Sequence, residues 1–422
     1  MATHPDVIVV GGGIGGLSAA YALTRKGLKV RLLERSSEFG EVGAGLQLAS
    51  NCTRILDEYG LLDEAVQLGV VPDTMVMRDG VDGAELTRLD LRDVEKRYGF
   101  PYLVIHRSDL SGIFLRACQR AGVDLVLDTR VVDYGEVEGG ASVVLEDGAG
   151  NRTVESAPMV VAADGIHSVA RNKFVGDPLV NSAYVAYRGT VPSDEPYVRN
   201  EADLSQVVVY VGPRFHFVQY GLRGGQMLNQ VAVFQSPKAL AGEEDWGTPD
   251  ELDAGFTGAC EPVRDGLPFM WRDKWWRMFT RNPALRWVYG RVALLGDAAH
   301  PPLQYIAQGA IMAIEDGWVL ANHAAANRRA DGTVDWDTVL AAYDAVRPEH
   351  CRRVLTTSVA WGELWHHDGL QREQRNVILH ARDTYDYSFV DWLYGGLPAM
   401  TPSEESELFT PIPLDSVEVP NS

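Results

Sequence analysis

Three observations in the sequence predict an α/β fold in which a parallel-sheet, Rossmann-like nucleotide-binding domain is interrupted by a mixed or antiparallel sheet and followed by a C-terminal helical segment. A β-rich run, 6–10, ends in Gly11-x-Gly13-x-x-Gly16 and passes into helical composition over 17–23. Far downstream a second apolar run, 292–295, leads into Gly296-Asp297-Ala298-Ala299-His300-Pro301. Between them, over 184–234, long β-rich runs follow one another with no helical pattern.

The first unit reads as strand, turn and helix. Gly11 permits the tight turn, Gly13 lets the backbone approach a pyrophosphate, and Gly16 allows close helix packing, so that phosphate meets the positive end of the helix. A second strand, 29–33, ends at Glu34. Its carboxylate lies roughly 20 residues past the loop, where a dinucleotide fold places an acceptor for the ribose 2′-hydroxyl and where a 2′-phosphate would be repelled. Two distant loops, at Gly11 and at Asp297, suit opposite ends of one extended dinucleotide, which points to FAD more than to a simple NAD site.

The remaining elements follow in order. After Gly43-Ala44-Gly45-Leu46-Gln47-Leu48 comes helical material over 51–62, then an insertion with turn signals at Asp79-Gly80 and Asp82-Gly83. The chain returns at His106-Arg107-Ser108, with Ser108 expected to cap a helix through Ala117. Strands are expected over 124–132 and 141–145, and a buried strand over 159–163 ends in Asp164-Gly165. The β-rich runs are 184–191, 206–211, 215–222 and 230–235; a helical, tryptophan-rich stretch follows through Trp287. After Asp297 an apolar helix over 311–326 opens near Gly309. The expected division is an FAD-binding domain from 1–72, 100–180 and 290–350, a substrate-binding sheet from 73–99 and 181–289, a helical region 351–400 and an acidic tail 401–422.

Composition narrows the setting. A 422-residue chain with 46% hydrophobic residues can bury a sizeable core. A net charge of -20 opposes nucleic acid and anionic membranes as partners. With no secretory signal and no apolar run of spanning length, a cytoplasmic location is expected. Cys52, Cys118, Cys260 and Cys351 are too scattered for a zinc or redox motif and read as buried thiols, and the adjacent His366 and His367 would diverge on a helix, so no metal is expected.

Gly11 to Gly16, Asp164-Gly165 and Gly296-Asp297, in this order, resemble the single-component FAD aromatic hydroxylases of the para-hydroxybenzoate and salicylate hydroxylase kind, over the chain to about residue 400. The resemblance implies a para-hydroxybenzoate hydroxylase-like fold, FAD as cofactor, NADH or NADPH as reductant, O2 as co-substrate and a homodimer. It also implies Gly15 on the pyrophosphate, Glu34 and Arg35 at the adenosine, Arg107 as a cationic contact, Val131 with its backbone near the adenine, and Asp297 on the ribityl chain. Asp164 matches a fingerprint shared by flavin and nicotinamide binding, Gly45 and Gln47 fall beside the flavin, and Gly309 and Ala310 offer backbone contacts at a helix start aimed at the flavin pyrimidine.

Gln304 stands where the commoner family pattern has proline, a departure shared with 3-hydroxybenzoate 6-hydroxylases. The similarity to that group extends to Tyr187-Arg188-Gly189-Thr190, to 212–217, to 227–234 and to 361–366. It implies a phenolic acid substrate, with 3-hydroxybenzoate leading and salicylate or hydroxynicotinate as alternatives. On an extended run the period of two puts His216, Val218 and Tyr220 on one face, with His216 and Tyr220 about 13 Å apart, and Phe217 and Gln219 on the other. His216 is the expected base for the ring hydroxyl, Tyr220 an orienting or relaying group, and Gln304 a partner for the phenolate or the flavin. Trp271, Trp275, Trp276, Trp287, Trp361 and Trp365 are expected in core or subunit contacts. An oxidase or reductase, or a non-catalytic FAD-binding protein, would share the cofactor loops.

Overall fold

The computed structural model describes residues 4–40 and 45–397. Its central sheet has six strands in the order Val288–Tyr289, Val292–Leu294, Met159–Ala162, Val7–Val10, Val30–Leu33, Asp124–Val126, parallel except for the first pair. Strands this apolar (VIVV, MVVA, VAL), fully buried, require cover on both faces. The register places Leu33, Val10, Ala162 and Leu294 side by side in one row. The four segments read separately from the sequence, at Glu34, Gly11, Asp164 and Gly296, therefore leave the sheet together at its carboxyl edge, where open α/β sheets bind ligands. Helix Ile14–Arg25 packs on helix Gly309–Ala326, and Gly317 permits the approach: a Cβ there would lie 2.8 Å from Ala19 Cα.

The second large sheet has seven strands in the order Trp276–Thr280, Val180–Pro192, Met227–Gln235, Phe215–Leu222, Gln206–Gly212, Thr74–Asp79, Glu85–Asp90. It is antiparallel apart from the parallel pairing of Gln206–Gly212 with Thr74–Asp79. Cross-strand partners share a face, and the register gives one continuous row, Arg188, Val231, Val218, Val209, Met77 and Thr87. The other face buries Tyr187, Phe217 and Phe234 against Trp246 and Phe256 in a separate core. Beyond helix Gly309–Ala326 run the 30-residue helix Trp336–Trp365 and the helices Gly369–His380 and Asp391–Tyr394.

Several expectations need correction. The helix Arg107–Ala121 is capped by His106, whose Nδ1 accepts the Ser108 amide, and not by Ser108. The strand expected over 124–132 is two strands, Asp124–Val126 and Arg130–Val137, because Asp128 sits at φ 52° and turns the chain into a separate three-stranded sheet. The tryptophan-rich stretch is helical only in its first part; Trp276–Thr280 forms an edge strand, since it finds free backbone partners on Val180–Pro192. Gly43, Ala44 and the 401–422 tail lie outside the described residues. Among the described residues no helix is long and apolar enough to cross a membrane.

Candidate active site

A cavity of about 590 Å³ lies between the carboxyl edge of the parallel sheet and the Arg188–Thr87 face of the seven-stranded sheet. It gathers predicted residues from five separate segments. Gly13 and Gly15 enter from the first loop, Gly45 and Gln47 from strand Gly45–Leu48, and Arg107 from the start of its helix. Asp297, Gln304, Gly309 and Ala310 line the wall that follows the second loop. His216 and Tyr220 face in from strand Phe215–Leu222 with Val218, while Phe217 joins the opposite core and Gln219 donates to the Tyr197 hydroxyl at 2.7 Å, as the period of two requires.

The structure does not bring Gly11, Gly16, Glu34, Arg35, Val131 or Asp164 to this cavity wall. Gly11 (φ 106°) and Gly16 shape the turn from behind, since a Cβ on Gly16 would lie 1.9 Å from the Gly11 carbonyl oxygen. Glu34 accepts the Gly12 amide at 2.6 Å and the Ser36 amide at 2.8 Å, so it clasps the loop from the neighbouring strand. Arg35 is exposed beside it, and the Thr129 amide donates to the Glu34 carbonyl, which brings Val131 near the same edge. Asp164 accepts from Tyr134 and Val169 through one oxygen and leaves the other, Oδ1, buried without a partner.

These residues fit FAD. The loop offers a helix start (Gly13 is the N-cap of Ile14–Arg25), and a second helix begins at Gly309 on the far side of the cavity, giving two positive ends. Gly45 is closely constrained: a Cβ would lie 2.4 Å from Tyr220 Cε2, so only glycine lets the strand pass beneath the Tyr220 ring. Its amide donates to Asn229 Oδ1 at 3.0 Å, and Asn229 is the cross-strand partner of Tyr220, which ties this strand to the sheet that faces it.

Residues 4–358 match a family described as FAD binding domain. A 3-hydroxybenzoate 6-hydroxylase of Polaromonas naphthalenivorans is 36% identical over 398 residues, covering 92% of this chain and 95% of that protein. The chain belongs to the FAD-dependent aromatic monooxygenases. A 3-amino-4-hydroxybenzoate 2-monooxygenase of Streptomyces cremeus is 33% identical over 93% of this chain and 96% of its own length. The solved HpxO of Klebsiella pneumoniae, complexed with FAD and uric acid, superposes with a TM-score of 0.80 at 25% identity, covering 93% of this chain and 97% of that one.

In this monooxygenase the electrostatics of the cavity are set by burial. His216 is 1% exposed and is held well below the ordinary histidine range by burial and then by His366. Burial pushes the Tyr220 hydroxyl upward, opposed by the charge of Arg188. Gln304 Nε2 lies 3.5 Å from His216 Nε2, so the predicted amide and base do meet.

Sequence reasoning missed the cavity roles of Arg188 and three tryptophans, and of His366 behind the wall. Arg188 faces it from the strand row, with Trp276 packed 5.3 Å from its guanidinium carbon. Trp276, Trp361 and Trp365 line it as well; Trp365 also belongs to the core and Trp276 and Trp361 pack against it, as expected, and Trp287 is buried in the core at 1% exposure. His366 Nε2 lies 2.9 Å from His216 Nδ1. The available signal was the run 361–366, which one helix end carries toward strand Phe215–Leu222.

Behind the second loop, Asp316 accepts from His300 Nε2 at 2.6 Å, Arg347 Nε at 2.7 Å and the Gly296 amide at 3.0 Å. Glu315 joins through Arg347 and Asn51, and Asn51 also holds Gln308, the N-cap of helix Gly309–Ala326. Ligand atoms of His300, Asp316 and Cys351 come within 4.8 Å of one another, but Arg347 donates to both Asp316 and Cys351, so these groups serve an ion-pair network that holds the Gly296 amide of the second loop.

Proposed function

We propose that this monooxygenase hydroxylates 3-hydroxybenzoate para to its ring hydroxyl, giving 2,5-dihydroxybenzoate, with O2 and with NADH or NADPH as reductant. The observation that carries the reading is that a buried histidine, His216, and a half-buried arginine, Arg188, face one cavity from a single sheet. Arg188 stands two strands over and two residues along from His216, about 12 Å between Cα positions by ideal sheet spacing. Two long side chains reaching inward from that separation suit an aromatic ring with a hydroxyl and a carboxylate in meta relation.

FAD, when bound through Gly13, Gly15, Gly45, Asp297 and Gly309, supplies the redox chemistry that delivers one atom of O2 to the ring. The protein's part is to orient and to ionise. Arg188 pairs with the carboxylate. His216 Nε2 takes the hydroxyl proton, which raises electron density at the para carbon. The Gln304 amide donates to the resulting oxygen, and Tyr220, packed over Gly45, sets the distance between ring and cofactor. Relatives acting on aminohydroxybenzoate favour the same substrate class, a phenol bearing a carboxylate. A homodimer is part of the proposal, supported by exposed Leu370, Val377 and Ile378 along one face of helix Gly369–His380.

The test is NADH consumption by the FAD-loaded protein with 3-hydroxybenzoate, salicylate and 6-hydroxynicotinate in parallel, with product and hydrogen peroxide measured together. Formation of 2,5-dihydroxybenzoate in step with NADH use is expected. Peroxide alone with every acid would refute the hydroxylase reading and leave an oxidase.

A further inference from the structure

The partner of His216 is another histidine and not a carboxylate, which changes what the pair can do. His216 Nδ1 lies 2.9 Å from His366 Nε2, and His216 Nε2 faces Gln304 and the cavity. Two neutral imidazoles at that distance share one hydrogen. A base at His216 Nε2 requires the shared hydrogen to sit on His216 Nδ1, donated to His366 Nε2, with the other His366 hydrogen on Nδ1, and the 3.5 Å approach of the Gln304 amide to His216 Nε2 is compatible with that tautomer. That tautomer leaves the Nε2 lone pair of His216 directed at the substrate.

The surroundings of His366 hold the ring without giving a proton a resting place. Its imidazole is stacked on Tyr184 at 4.7 Å and lies edge-on to Tyr305 at 5.5 Å. Its amide closes the helix Trp336–Trp365 on Gly362 and Glu363, and its carbonyl accepts the Arg214 amide. The charged group that acts on the ring is Arg375. Arg375 is 1% exposed, donates to the Trp365 carbonyl at 2.7 Å and is fixed by Asp79 at 3.0 Å, so a positive charge stands permanently behind the ring. Burial and then Arg375 push His366 down to about 3. A carboxylate in its place would trap an imidazolium; here neither ring retains one. His366 is 9% exposed against 1% for His216, so it is the member nearer to water.

We propose that His366 is a positioning residue that fixes the His216 tautomer and passes the substrate's hydroxyl proton out of the site. The proposal rests on the hydroxylase reading above. In balance, the substrate O–H bond breaks and its proton bonds to His216 Nε2, the His216 Nδ1 proton moves to His366 Nε2, and the His366 Nδ1 proton leaves to water; the substrate keeps the electron pair as a phenolate. His366 controls how fast the hydroxyl ionises and not how far, because ionisation at equilibrium is set by groups that touch the oxygen, and His366 meets only the far side of the His216 ring.

The experiment mixes oxidised, FAD-loaded enzyme with 3-hydroxybenzoate in a stopped-flow instrument, reading phenolate absorbance and proton release to a pH indicator. His366→Gln keeps an acceptor for His216 Nδ1–H but cannot relay. Proton release slower by at least about tenfold, with the phenolate end point and the dissociation constant little changed, is expected. Release at the wild-type rate in His366→Gln would overturn the relay, and an altered end point with an unaltered rate would reduce His366 to packing. If the variant does not hold FAD, the wild-type release rate is measured against deuterium content: a bowed dependence, from more than one hydrogen in flight, is expected, and a straight line contradicts the relay. Wild-type enzyme that makes no hydroxylated product would instead refute the function, which separates the two failures.

Discussion

Replacing Arg188 with methionine gives a distinctive pair of effects. Arg188 is half-buried at the cavity wall, burial lowers its affinity for its proton, and among the described residues no carboxylate pairs with it. The protein therefore carries a partly desolvated cation whose compensation arrives with the substrate. Hydrogen bonds between charged groups contribute roughly 1.5–3 kcal/mol, so losing the pair should raise KM for 3-hydroxybenzoate by about 10–150-fold. Methionine keeps much of the packing on Trp276 while removing the unpaired charge, so thermal stability without substrate should hold or rise. The assay is NADH-coupled turnover and binding titration with 3-hydroxybenzoate and with 3-hydroxybenzyl alcohol, which lacks the carboxylate. The acid should lose affinity and the alcohol should not. Equal losses for both ligands, or unchanged binding of the acid, would refute the assignment.

Four further outcomes follow from the same geometry. His216→Asn should lower kcat by about 100–10,000-fold while NADH is still consumed with peroxide release, as product analysis would show. Gly45→Ala forces a Cβ onto the Tyr220 ring; overpacking of this kind costs about 1–3 kcal/mol, and Tyr220→Ala in the same protein should recover part of the lost stability, read as a double-mutant cycle in thermal unfolding. Arg347→Met strands Asp316 and Glu315 in the core and should destabilise by about 3–5 kcal/mol, with FAD released at a lower temperature. Burial opposes ionisation of Glu315 and Asp316, but Arg347 for the first and His300 with Arg347 for the second outweigh it and hold both near pKa about 2. Carboxyls depressed in the fold stabilise fully above their unfolded values, so about 2–3 kcal/mol from each should be lost as pH falls from about 4.5 toward 2, measured by denaturant unfolding across that range.

Local chemistry made the cofactor half legible. Gly11, Glu34, Asp164 and Asp297 each end a short apolar strand, and parallel pairing alone carries such ends to one edge. The His216–Tyr220 face was legible for a similar reason, since alternation is fixed within one strand. Arg188 and His366 were not, because their roles depend on pairings between segments. Arg188 faces the cavity through the register of Val180–Pro192 on Met227–Gln235, and His366 meets His216 because a 30-residue helix ends there. The edge strand Trp276–Thr280 was misjudged as helical because strand pairing with Val180–Pro192 overrides local composition.

The measurement closest to the central claim is turnover of 3-hydroxybenzoate under heavy-isotope dioxygen, with the label in the product located by mass spectrometry. One labelled oxygen, para to the original hydroxyl in 2,5-dihydroxybenzoate, is the result this mechanism requires. Unlabelled product, or label only in hydrogen peroxide, would contradict it.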